Sequence, residues 1–370
     1  FLKGQIKYDT IAKVINMKIL IVPDSYKGTL SSKEVCECIK NGILKNSDSD
    51  IEIEALPFAD GGEGFAECMR EICNGSSLYS KVHDIYGRVI DCEYTVFGDT
   101  AVIDAATASG LQPRKAVMAS TSYGTGELIK SAVSKGFTKI ILGLGGTGCS
   151  DGGIGALAAL GAKFYDENQK VIDIPKSGDL NYIFGTKFKD CVKPIDLTYA
   201  CDVENEFSGK NGAAYVFAGQ KGANKTQIEE LDEGLQRLNA FFPSDISKIK
   251  GAGAAGGLCG GLYAIYGGEI KSGFDILSEY AHLEDKIANA DLVITGEGKT
   301  DSQTLMGKLP YKISELCKKH GTKCTVISGK IENVSLGDKM ISLVDENTSE
   351  DEAVGNAAQI LEQKAKYVLQ

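Results

Sequence analysis

Four short apolar runs in this chain each end in a loop carrying groups that could do chemistry. Asp24, Ser25 and Lys27 follow residues 19–22, Asp60 and Glu63 follow 51–56, Asp202 follows Tyr199-Ala200-Cys201, and Glu297, Lys299 and Asp301 follow 291–295. Carboxylates in such places can bind a divalent cation or accept a proton, and a lysine can meet an anion. In a doubly wound sheet, ligands bind at the C-terminal ends of the strands, where these loops lie. Each group also has a plainer role. Asp60 can cap a helix with Glu63 as its capping-box partner, Asp202 can serve a turn, and Lys27 can be a solvated surface lysine.

One further loop is built mostly of backbone. Residues 139–163 read KIILGLGGTGCSDGGIGALAALGAK: a β-branched run too short for a helix, a loop with six glycines in eleven residues, and an alanine- and leucine-rich helix from about Ile154 to Gly161. Glycine lets backbone N–H groups converge on an anion, and a helix N-terminus adds partial positive charge. We therefore expect a phosphate cradle in which Gly145, Gly146, Thr147, Gly148, Ser150, Asp151 and Gly152 are the candidate contacts. A tight turn is the alternative, but each glycine costs conformational entropy, and a turn requires fewer of them.

The string GLGGTG at 143–148 also fits the dinucleotide pattern G-x-G-x-x-G, with Asp166 at a fitting distance after a plausible second strand, AKFYD. That motif starts its helix at the third glycine, whereas Asp151-Gly152-Gly153 prolongs the loop here. GAGAAG at 251–256 matches the pattern as well, which shows how little it specifies in a chain with 44 glycines. Nothing completes the P-loop pattern G-x-x-x-x-G-K-[ST].

The elements that must position these loops follow from the rest of the chain. Its 370 residues, 43% hydrophobic and 24% charged, suffice for two domains with cores of their own. A net charge of −10 argues against nucleic acid or an anionic membrane as the main partner and leaves small molecules. No apolar run approaches the roughly 18 residues of a membrane span. Eleven scattered cysteines without a C-x-x-C pair read as buried free thiols in a reducing cytoplasm. Residues 1–16 lack a signal-peptide apolar core and are set aside as an extension of unknown origin, because the first strand opens directly after Met17.

Strands are expected at 19–22, 51–56, 291–295, 324–328 and 340–344, with a helix from Ser31-Ser32, capped with Glu34, to about Leu44. After about Ser77 the pattern changes to antiparallel strands around turns at Gly87-Arg88 and Gly98-Asp99. Residues 224–241 read as an exposed, charged helix, and GAGAAGGLCGG at 251–261 as the opening of a small-residue helix used for close packing. The economical architecture is α/β: a doubly wound domain from both chain ends, 17–77 plus 286–370, with a second mixed α/β domain, 78–285, inserted.

PDSYKGTLSS, FADGGEGF, TSYGTGELI, GLGGTGCSDGGIGAL, ACDV, SGKNGAAYVFAGQKGA, GAGAAGGL and GEGKTDSQTLMGK, in this order between residues 19 and 310, resemble the type I glycerate kinase family. The resemblance implies ATP- and Mg²⁺-dependent phosphorylation of D-glycerate, leaning towards 2-phosphoglycerate, and a flavodoxin-like domain with a second α/β domain inserted. The chain departs from the family's usual Asn-Pro-Leu at Asn205-Glu206-Phe207 and from Arg-x-Asp at Lys299-Thr300-Asp301. Lysine is not an equivalent fork for arginine. On this resemblance the 143–153 loop holds ATP phosphates, and Lys27 and Lys299 stand near the transferred group or the glycerate carboxylate. Asp202 or Asp301 binds Mg²⁺ or accepts the hydroxyl proton. Lys27, Asp202 and Asp301 are thus the catalytic candidates, and Asp24, Ser25, Asp60, Glu63, Glu297 and Lys299 the substrate-binding ones. The site is expected in a cleft between the domains. A binding protein that has lost transfer and an NAD(P)-dependent oxidoreductase are the alternatives, and a homodimer is among the assemblies left open.

Overall fold

The computed structural model describes residues 17–47, 50–59 and 64–370. The described residues divide into two compact units: one takes 17–30 with Glu34–Ala55 and Glu284–Gln370, the other Ser31–Lys33 and Leu56–Leu283.

The first unit is a five-stranded sheet in the order Lys339–Ser342, Lys323–Ser328, Leu292–Thr295, Met17–Ile21, Ile51–Ala55, with every pair parallel. Numbered along the chain within this unit, the order is 2-1-3-4-5, that of the flavodoxin-like fold. The central strands are near-continuous apolar runs because helices cover both faces: Ile19, Ile21, Val293 and Ile294 are buried. Ile51–Ala55 is one of the two edge strands, and its IEIEA alternation exposes Glu52 and Glu54 where a neighbouring chain could otherwise pair. Helix Ser32–Leu44 buries Val35, Ile39 and Ile43, which recur every four residues on one face. It meets helix Ala357–Ala365 so closely that a Cβ on Gly42 would lie 2.1 Å from the carbonyl oxygen of Glu362.

The second unit holds a six-stranded mixed sheet in the order Glu269–Lys271, Asp196–Ala200, Lys139–Gly143, Thr100–Asp104, Val89–Phe97, Ser76–His83. Its first four strands run parallel, and the last two close as antiparallel hairpins. The turn at 84–88 is fixed by Asp84, whose Oδ1 accepts the N–H groups of Tyr86 and Arg88, and the second turn uses Gly98 at φ 52°. Lys139–Gly143 lies between Thr100–Asp104 and Asp196–Ala200, so the glycine loop leaves from the middle of the sheet.

Two expectations meet a different outcome. Helix Phe65–Ile72 packs with the second unit, where Ala66 N–H donates to Asp104 and Thr95 Oγ1 donates to Ala66 O, so the expected boundary near Ser77 falls inside that unit. Helix Lys225–Asn239 is not exposed all round: Leu231, Leu235 and Leu238 are buried, and Asp232 accepts from Gly209 N–H. The strand Lys163–Tyr165 pairs antiparallel with Gly185–Lys187 in a separate ribbon, outside the sheet that a dinucleotide fold would extend with it.

Candidate active site

On the second unit the end of strand Lys139–Gly143 opens into a cavity of about 310 Å³ lined by Gly145, Gly146 and Thr147, by Asp202 and its neighbours at the end of strand Asp196–Ala200, and by Phe217, Lys221, Ala254 and Ala255. Strand order produces this juxtaposition: the two strands are adjacent and parallel, so both C-terminal loops emerge on one edge. Gly146 sits at φ 72°, a conformation that turns the loop at low steric cost only without a side chain.

The rest of the loop is committed to the protein. Gly148 N–H donates to Ser109 O, Ser150 N–H to Ser177 Oγ and Gly152 N–H to Gly256 O. Asp151 is fully buried and accepts from Ser122 N–H, Ser122 Oγ, Gly153 N–H and Gly155 N–H. It ties the start of helix Tyr123–Ser134 to that of helix Ile154–Ala159. Burial pushes its carboxyl up, against the pull of those donors. Of the seven expected phosphate contacts, Gly145, Gly146 and Thr147 line the cavity, while Gly148, Ser150, Asp151 and Gly152 build the loop's foundation. A Cβ on Gly152 would lie 2.8 Å from Leu235 and Leu238, which places that residue in packing rather than at a ligand.

Lys221 was not among the candidates. It is 3% exposed, and Nζ donates to Cys149 O at 2.6 Å. A π-helical turn, Ala214–Ala218, followed by a tight 3₁₀ turn, Gly219–Lys221, carries it there. Burial lowers its pKa, opposed by Cys149 and Asp151. The readable sign was a lysine closing the small and apolar run AAYVFAGQK. Ala254 and Ala255 give the second glycine cluster a role beyond packing: Ala255 stands at φ 56° with Gly256 and Gly257 also left-handed, and this bend forms a cavity wall.

On the first unit the strand ends gather Asp24, Ser25, Lys27, Glu297, Lys299 and Asp301. Asp24 N–H donates to Gly296 O, and the position of a Cβ on Gly298 is 3.4 Å from Lys27 N, so the two loops run side by side. Asp24 is buried and its Oδ1 accepts Ser25 N–H at 2.7 Å. Glu297 is also buried, taking the Thr300 and Thr304 hydroxyls and Lys308 Nζ at 3.4 Å, which commits its carboxylate to fixing the loop. Asp301 Oδ1 accepts Gln303 N–H; that bond, with Lys299 nearby, holds its carboxyl below the usual range. Lys299 Nζ lies 2.9 Å from Glu332 and 3.5 Å from Asp301. Gly298-Lys299-Thr300 has the ending of a P-loop, but Val293 stands where its first glycine belongs. Lys27 is exposed. Asp60 and Glu63 lie outside the described residues.

Among the described residues no group of three or more His, Cys, Asp or Glu could hold a metal, and no helix is long and apolar enough to cross a membrane. All eleven cysteines are free, nine of them buried.

Comparison with known proteins bears on the family and the fold. The glycerate kinase family model matches residues 19–370. A glycerate 2-kinase of Escherichia coli (strain K12) is 39% identical over 332 residues, covering 85% of this chain and 86% of that protein. A glycerate kinase of Bacillus cereus is 36% identical, covering 95% and 97%. The crystal structure of a provisionally identified glycerate kinase 2 from Salmonella typhimurium LT2 superposes with a TM-score of 0.84 at 36% identity, covering 95% of this chain and 97% of that one. With strand-end glycine and carboxylate loops on an α/β framework and a family match over nearly its whole length, the chain belongs to the glycerate kinase family and is a phosphotransferase.

Proposed function

We propose that the protein transfers the γ-phosphoryl group of ATP to D-glycerate, with 2-phosphoglycerate as the favoured product. The observation that carries this reading is the cavity that sets Gly145–Thr147 backbone beside Asp202, an anion cradle next to an exposed carboxylate. Phosphoryl transfer asks little covalent chemistry of a protein: it needs phosphates held, charge neutralised and the acceptor oxygen aligned. The relatives' names supply the acceptor.

In this mechanism Gly145, Gly146 and Thr147 hold the ATP phosphates. Asp202 would hold Mg²⁺, which would supply neutralisation of phosphate charge. The ion is commonly held by one or two carboxylates together with phosphates and water, and Asp202 suits that donor set. Lys27 holds the glycerate carboxylate. Asp301, kept ionised, takes the proton of the glycerate hydroxyl as its oxygen bonds to phosphorus and the bond to ADP breaks. Eleven free thiols suit work in a reducing compartment such as the cytoplasm.

The test is ADP release on adding D-glycerate to enzyme, ATP and Mg²⁺, followed by a phosphorus spectrum of the product. ADP release with coupling to a single CH proton supports the proposal. Coupling to CH₂ overturns the 2-phosphate assignment, and no glycerate-dependent ADP overturns transfer. The separate ribbon position of Lys163–Tyr165 weighs against the oxidoreductase alternative.

A further inference from the structure

Lys221 is a buried cation with unspent hydrogen-bonding capacity. A lysine ammonium carries three N–H donors and accepts nothing. Among the described residues Lys221 has one hydrogen-bond partner, Cys149 O at 2.6 Å, and no carboxylate within ion-pair distance. It is 3% exposed, where an unpaired charge is costly, and it lines the cavity that also holds Gly145–Thr147 and Asp202. Asp151, the buried acid that acts on Lys221 electrostatically, is satisfied by Ser122, Gly153 and Gly155 instead, and the buried Asp232 accepts from Gly209 N–H and Gln236 Nε2.

We propose that Lys221 is the binding residue for the phosphate chain of the nucleotide, with its two remaining N–H groups donating to phosphate oxygens while the third holds the glycine loop through Cys149 O. The inference rests on the reading of this cavity as a nucleotide site. It explains why a lysine is kept inside: the counter-ion it lacks is the ligand's charge. It also explains the irregular helix, since a π turn followed by a 3₁₀ turn shifts the register that brings Nζ to the loop, and Gly222 at φ 97° ends it, where a Cβ would meet Lys115 Cβ at 2.7 Å. Cys149 and Asp151 influence the ammonium electrostatically, and Asp202 lines the same cavity.

The discriminating variant is Lys221→Gln, whose amide can still donate to Cys149 O but carries no charge. Calorimetric titration of the full chain with Mg-ATP, ADP and adenosine should show roughly a ten- to hundredfold loss for ATP and ADP, the size of a charge-assisted contact, and an unchanged adenosine affinity. In kinetics the KM for ATP should rise while that for D-glycerate stays within about twofold of wild type. Equal losses for adenosine and ATP would mean that Lys221 only props the cavity, and would overturn the proposal, as would unchanged ATP affinity. Lys221→Met, measured in the same way if the first variant folds poorly, must lose the same phosphate dependence. A wild-type chain that binds neither ATP nor ADP refutes the nucleotide reading itself, a result distinct from failure of Lys221 alone.

Discussion

Two lysines with similar sequence credentials, Lys27 and Lys299, meet different surroundings. Lys299 is half exposed and lies 2.9 Å from Glu332, a pair of the kind that contributes little to stability, whereas no ion pair to Lys27 occurs among the described residues. We expect Lys27→Ala to raise the KM for D-glycerate by at least about tenfold, as loss of a charged contact does, and Lys299→Ala to change it by less than about threefold. Steady-state kinetics with varied glycerate decides, and the reverse order would move the carboxylate contact to Lys299. Asp301 sets a pH expectation. Its backbone bond from Gln303, aided by Lys299, lowers its pKa, so the group stays ionised above the ordinary carboxylate value of about 3.9 and is lost only as pH falls through the depressed one. Its acid limb in kcat/KM should lie below about pH 4, and Asp301→Asn should lower kcat at every pH from 5 to 8. At this scale the sequence disclosed residue types at strand ends but not their directions. Asp151 looks as available as Asp202 in the letters, yet four donors enclose the first and a cavity borders the second. Lys221 went unread because its burial comes from contacts 72 residues away in sequence.

The elements were more legible, because short β-branched runs and capping patterns act locally. Strand Lys139–Gly143 and the helix after it follow from residues within one window. What stayed hidden was packing. Helix Lys225–Asn239 looks polar, but its Leu231, Leu235 and Leu238 stripe closes on Gly152, and helix Phe65–Ile72 joins the second unit through long-range bonds to Asp104 and Thr95. Glycines mark the tightest of these contacts. A Cβ on Gly126 would stand 2.3 Å from Ala156 O and 2.6 Å from Ala156 Cα, so helices Tyr123–Ser134 and Ile154–Ala159 touch backbone to backbone. Backbone cannot rotate away as a side chain does. Gly126→Ala should therefore destabilise the protein by about 1–3 kcal/mol despite alanine's better helix propensity, and lower ATP affinity by displacing the loop. Urea unfolding at constant m-value measures the first effect. A variant as stable as wild type would show that the helices can separate at no cost.

At the scale of the whole molecule, one unit is assembled from separate stretches while most of the other is one continuous segment, 56–283. Every residue lining the 310 Å³ cavity, from Leu111 to Ala255, lies in that segment, and so does a core that includes Ile103, Leu142, Leu157, Tyr199, Leu235 and Leu258. A unit with its own core and no strand borrowed from elsewhere has what autonomous folding requires. The strand pairing makes this concrete: all six strands of its sheet fall between Ser76 and Lys271, whereas Met17–Ile21 of the other unit pairs with Leu292–Thr295 across the whole insertion. A fragment spanning residues 56–283 should unfold cooperatively and bind Mg-ATP within about tenfold of the full chain, yet release no ADP on adding D-glycerate, because Lys27 and Asp301 are absent from it. Circular dichroism melting and calorimetric titration of the fragment test both halves. A folded fragment that no longer binds ATP would show that the cavity draws on residues outside the segment, and glycerate-dependent ADP release from it would remove Lys27 and Asp301 from the reaction.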